Sequence, residues 1–97
     1  VPDSPLWDLK DFDWHLDIWI RNEEPDQDLI NEVSEWVLSR FDDPYRDMKR
    51  EPGFDNLWFG PIPHTTWGSM VVTCSYMIVE SDHRVYCKSI ATLSRPV

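Results

Sequence analysis

Residues 70–93 constrain the fold of this chain more than any other stretch. MVVTCSYMIV and RVYCKSIATL are two apolar, β-branched runs joined by Glu80-Ser81-Asp82-His83. Val, Ile, Thr and Tyr suit a pleated backbone and the short polar link reverses it, so the two runs predict an antiparallel hairpin. A two- or four-residue loop places Cys74 opposite Cys87, and a slip of two residues leaves both thiols on one face. They read either as two buried free thiols or as a cross-strand disulfide.

Two patterns precede the hairpin. Trp14, Leu16, Ile18 and Ile20 alternate with His15, Asp17, Trp19 and Arg21, which predicts a strand ending at Asn22–Pro25. From Asp26 to Phe41 the period changes. Leu29, Ile30, Val33, Trp36, Val37 and Phe41 fall on one helical stripe. Asp26 and Asp28 suit the positive N-terminal end, Arg40 the C-terminal end, and Asp42-Asp43-Pro44 stops the helix. Residues 44–53 read as irregular or a second short helix, Asn56–Phe59 as a short strand, and His64–Gly68 as a loop. The expected fold is α+β: a small β-α-β-β-β domain over residues 14–97, with one main helix packed on a short antiparallel sheet. Residues 1–13 read as an N-terminal arm, because Pro2 and Pro5 block regular structure and Asp3, Asp8, Asp11 and Asp13 favour turns. Leu6, Trp7, Leu9 and Phe12 either pin that arm to the body or await a partner.

Composition bounds the function. Ninety-seven residues make one domain with a single small core. Eighteen acids against nine bases give a net charge of −9, which argues against a surface built for phosphate backbones; the isolated chain is not expected to bind nucleic acid. Simple solubility is one reading of that charge, and a partner with a basic face is another. No apolar run approaches the ~20 residues of a membrane span. The acidic, proline-containing start lacks a secretory pattern, so a cytoplasmic location is expected. Three glycines exclude a dinucleotide-binding fold. Neither His15 with Asp17 nor His64 with Cys74 and Cys87 has zinc-ligand spacing, so no metal and no cofactor is expected.

Six tryptophans are many for this length. Trp14, Trp36 and Phe41 fall on expected core faces. Trp7, Phe12, Trp19, Trp58 and Trp67 are the aromatics proposed to bind a partner, since exposed aromatics rimmed by acids suit protein recognition. A small core that recruits every aromatic is the alternative.

Three stretches together resemble the RelE/ParE superfamily of toxin–antitoxin toxins. INEVSEWVLSRFDDP (residues 30–44) is similar to the family helix with its acidic-proline turn. NLWF (residues 56–59) is similar to the strand after the variable loop. Val72–Leu93 resembles the final hairpin, with Tyr76 at the recurrent tyrosine. The resemblance covers roughly residues 14–95. It implies a toxin component, or a derivative, neutralised by a protein partner, either an antitoxin or a basic target protein. If active, such a toxin would be an mRNA-cleaving endoribonuclease. The chain departs from the family in three ways: Val72 and Thr73 stand where an Arg usually precedes the hairpin tyrosine, the end is Leu93-Ser94-Arg95-Pro96-Val97, and the charge is acidic rather than basic. The gyrase-poisoning branch, which does not need the nuclease set, accommodates these departures better. The alternative function is an acidic non-enzymatic inhibitor: an immunity protein, a nuclease inhibitor or a phage DNA mimic.

RNA cleavage needs a base for the 2′-hydroxyl, an acid for the leaving oxygen and a cation for the phosphate. Arg84, Tyr86 and Lys88 alternate onto one face of the last strand, the one that resembles the family's functional strand. With His83 and Arg95 in reach they form the candidate catalytic set; the alternative is a solvated strand face.

Overall fold

The computed structural model describes residues 6–94. Seven elements follow one another: β1 (Asp8–Lys10), α1 (Phe12–Glu23), α2 (Gln27–Ser39), β2 (Lys49–Arg50), β3 (Leu57–Pro61), β4 (Met70–Val79) and β5 (Arg84–Ser94). The strands form one sheet in the order β1-β5-β4-β3-β2. β1 lies parallel to β5, and the other neighbours are antiparallel. The α+β class is as expected, but the sheet is mixed and there are two helices.

The expected hairpin is β4 and β5. Glu80–Asp82 form a single 3₁₀ turn, and His83 closes it in the left-handed conformation (φ 54°). Val79 stands opposite Arg84, which puts Tyr76 opposite Cys87. The register then shifts between Ser75 and Tyr76, so Lys88 is an extra residue and Cys74 faces Ile90. The thiols are therefore not directly opposite, although both are buried and free on the same face. The loop link and the bulge, neither visible as periodicity, set this register.

Trp14–Arg21 is not a strand. It lies inside α1. The alternation there coexists with a helical stripe of Phe12, Leu16, Trp19 and Ile20, and this stripe is the one that packs on the core. Trp19 is 2% exposed, and its indole donates to Thr92 Oγ1 on β5 at 3.0 Å. Glu24 ends the helix in the left-handed conformation, its N–H donating to the Ile20 carbonyl. Trp14, expected in the core, is 60% exposed on the opposite side.

α2 matches its expected span. The Asp26 side chain accepts from the Leu29 N–H at 2.9 Å and caps the helix. Val33, Trp36 and Val37 are buried against the sheet; Leu29 and Ile30 pack at its margin. Past its end, the buried Arg40 guanidinium donates to the Arg46 carbonyl at 2.8 Å and to the Tyr76 hydroxyl at 3.4 Å, and lies 4.5 Å over the Trp36 ring. These bonds satisfy the buried cation, as buried charge requires. Residues 44–48 turn, and Lys49–Arg50 pair with β3 instead of forming a helix. This crossing is close. A Cβ on Gly60 would stand 2.8 Å from Met48 Sδ and 3.1 Å from the Asp47 carbonyl, so β3 has glycine there.

Part of the expected arm belongs to the body. Asp8–Lys10 extend the sheet, and the Trp7 N–H donates to the Phe41 carbonyl at 3.0 Å. Residues 1–5 of the arm, and Arg95, lie outside the described residues. Among the described residues no helix is long and apolar enough to cross a membrane.

Candidate functional site on the open sheet face

The two faces of the sheet differ. Val72, Cys74, Tyr76 and Ile78 of β4 and Val85, Cys87 and Ile90 of β5 point toward the helices and are buried. The intervening residues face the other way. Ser75, Met77, Val79 and Tyr86 are half-buried there, while Phe59 and Leu93 are exposed. This face is open.

At its β1–β5 corner the parallel register places Asp8 beside Arg84 and Lys10 beside Tyr86. Leu9 pairs with Val85 on the inner side, so Asp8 and Lys10 alternate onto the open face. Asp8 Oδ2 accepts from Arg84 Nε at 3.2 Å and from Lys10 Nζ at 3.2 Å. A hydrogen bond with the Tyr86 side chain, then Asp8, holds the Arg84 guanidinium above its ordinary pKa. The corner thus combines two cations, one carboxylate and one phenol. It can neutralise an anion and carries groups that exchange protons.

The structure brings together only part of the candidate catalytic set. Arg84 and Tyr86 are neighbours on the open face. Lys88 is exposed, but as the bulged residue it leaves the simple alternation; Ser89 takes the position opposite Ser75, the two hydroxyls 2.7 Å apart. His83 stacks on Trp7, ring centroids 3.9 Å apart and 19° from parallel. Asp8 and Lys10 were not anticipated. The signal for them is the alternation Trp7-Asp8-Leu9-Lys10, too short to register as a strand before its partner is known.

Of the aromatics proposed for partner binding, Trp7, Phe12 and Trp19 are buried core residues. Trp7 and Phe12 therefore pin the N-terminal segment to the body. Trp58 is half-buried and edge-on to Tyr45, centroids 5.0 Å apart. Trp67 stays 44% exposed, bridged to Met70. Among the described residues no group of three or more His, Cys, Asp or Glu is placed to hold a metal ion.

No protein-family model and no curated protein matches the sequence. Solved structures do. The isolated RelE toxin of E. coli superposes with a TM-score of 0.62 at 11% identity, covering 96% of this chain and 88% of that one. The chain has a RelE-like fold. A double arginine-to-alanine variant of the same toxin, in the free state, gives a TM-score of 0.56 at 9% identity, over 92% of this chain and 83% of that one. At these identities the likeness is one of fold, and activity has to be argued from the site.

Proposed function

We propose that this chain is a RelE-like toxin component of a toxin–antitoxin pair, or a derivative of one, held in check in the cytoplasm by a protein partner. The observation that supports it is the coincidence of a RelE-like fold over nearly the whole chain with a cationic, phenol-bearing corner on the open sheet face. In this reading RNA is the substrate. Arg84 and Lys10 offset charge on the phosphate as the 2′-oxygen attacks and the 5′-oxygen leaves; Tyr86, the phenol beside them, gives its proton to the leaving oxygen, and solvent takes the proton of the 2′-hydroxyl. Asp8 positions the two cations.

The test is overexpression in a host lacking the partner. Wild type is compared with Arg84→Ala, Tyr86→Phe, Lys10→Ala and Arg95→Ala, each checked for retained folding. Growth arrest with mRNA cleavage, relieved by Arg84→Ala or Tyr86→Phe, is the expected outcome. Arrest untouched by all four variants would move the active surface elsewhere.

Absence of arrest by wild type would favour the second reading, an acidic non-enzymatic inhibitor. One observation supports that reading. A cavity of about 640 Å³ at the α1–α2 turn is lined by Glu23, Glu24, Asp26, Asp28 and Glu32, in a chain of net charge −9. Such a surface suits a basic protein.

A further inference from the structure

At the open-face corner the anion position is already taken, and by the chain itself. Asp8 Oδ2 accepts from Arg84 Nε and from Lys10 Nζ, each at 3.2 Å. Both cationic nitrogens converge on one oxygen, as they would on one oxygen of a bound phosphate. All three side chains are close to half exposed, so an anion can reach them from solvent.

The carboxylate is held there by its strand. The Asp8 N–H donates to the His83 carbonyl at 2.9 Å, and the preceding N–H, that of Trp7, donates to the Phe41 carbonyl at 3.0 Å. Trp7 is buried and stacked on His83, and pairing with β5 continues through Lys10. Displacement of the carboxylate is therefore left to the Asp8 side chain, by rotation about its own bonds. Its charge also lowers what the corner offers a ligand: Lys10 and Arg84 each bring a positive charge, and Asp8 cancels one of them.

We propose that the Asp8 carboxylate is a built-in competitor for the phosphate site formed by Lys10 and Arg84, so that a phosphate enters only by displacing it. The proposal rests on the reading of this corner as a phosphate site and adds a regulating residue to it. Asp8 holds the two cations through its oxygen and opposes their ligand through its charge. The two roles separate in Asp8→Asn, which keeps a carbonyl oxygen as acceptor and removes the charge. A competitor of this kind acts on every anion that visits the corner, and most strongly on the most highly charged.

The test is a heteronuclear NMR titration of the full chain with methyl phosphate, a monoester dianion, and with dimethyl phosphate, a diester monoanion, at constant ionic strength. Shifts are read at the backbone amides of Lys10, Arg84 and Tyr86 and at the Arg84 Nε–H. Asp8→Asn is expected to tighten dimethyl phosphate binding about fivefold and methyl phosphate binding by more, since one unit charge at about 4 Å in water is worth a factor of that size for each charge on the ligand. Asp17→Asn makes the same change in net charge at the exposed Asp17–Arg21 pair on α1. It should leave both affinities within about twofold of wild type, because salt screens a charge that does not adjoin the corner. Arg84→Ala should remove the shifts at the corner. The spectrum of each variant also reports whether it is folded. The proposal is overturned if neither phosphate shifts the corner amides in any variant, if Asp8→Asn binds as wild type does or more weakly, or if Asp17→Asn gains as much as Asp8→Asn. Growth arrest judges the toxin reading separately. Arrest relieved by Arg84→Ala, with no gain in phosphate binding from Asp8→Asn, would sink this proposal alone; tighter binding by Asp8→Asn without any arrest would sink the toxin reading alone.

Discussion

Cys74 and Tyr76 show how burial changes the chemistry of single side chains here. Burial, first of all, pushes the Cys74 thiol well above its usual range; the neighbouring Cys87 adds to this, and the Arg40 charge works against it. A thiol held protonated under two helices is a poor nucleophile. Iodoacetamide is therefore expected to leave both cysteines unmodified in the native protein and to alkylate both in denaturant, as mass spectrometry would show. Rapid native labelling would contradict their placement. Burial likewise raises Tyr76 to about 12, although the Arg40 hydrogen bond and charge pull it down. Its folded value lies above the unfolded one, so its contribution is complete below about pH 10 and is lost as pH rises toward 12. Two units correspond to roughly 2–3 kcal/mol. Denaturant melts at pH 8 and pH 11 should show reduced stability at the higher pH, and a flat profile would argue against a buried phenol.

Among the elements, α2 is tied to the core through Val33, Trp36 and Val37, and α1 through Phe12 in its first turn and Trp19 further along. Val33 is fully buried midway along α2. Val33→Asp places an unpaired carboxylate there, at a cost of about 4 kcal/mol or more. A small domain has little more than that in reserve, so the variant should show no cooperative melt; a midpoint within a degree of wild type would refute the packing of α2. Leu38, one residue beyond Val37 on the same helix, is a useful contrast. Its exposure predicts that Leu38→Glu melts as wild type does. The two substitutions, five residues apart, separate the face that builds the core from the face left in water.

For the molecule as a whole, charge is the governing quantity. The open-face corner gathers Lys10 and Arg84, yet 18 acids surround a total of nine bases. The long-range field repels polyanions even where a local patch could hold one phosphate. Single-stranded RNA in fluorescence anisotropy at physiological salt should therefore bind more weakly than about 10⁻⁴ M, the loose end of non-specific affinity. Tight, salt-sensitive binding would mean that the corner outweighs the rest of the surface. If the chain does cleave RNA, weak intrinsic affinity implies that its substrate is delivered by something else, and growth arrest is then a better assay than cleavage of free RNA.

Local pattern was enough for the elements whose own side chains carry the signal over many residues. The β4–β5 hairpin and the capped helix α2 with its 3.6-residue stripe are each in the chain as periodicity; the expected strand Asn56–Phe59 has no such repeat, and pairing with β4 carries β3 on through Gly60 and Pro61, which read as its stop. The order of these elements carried the resemblance to the RelE-like fold. Arg84 and Tyr86 followed from alternation along one strand. Tertiary contacts decided the rest. WHLDIWIR satisfies both a two-residue and a helical period, and only the fit of Phe12 and Trp19 under the sheet chose the helix. Three residues of β1 carry too little pattern to announce a strand; pairing with β5 made them one and brought Asp8 and Lys10 to Arg84. The Ser75/Tyr76 bulge displaced Lys88 and separated the two cysteines. The same competition for core space decided which tryptophans are buried: Trp7 and Trp19 fill gaps that Trp14, on the far side of α1, cannot reach.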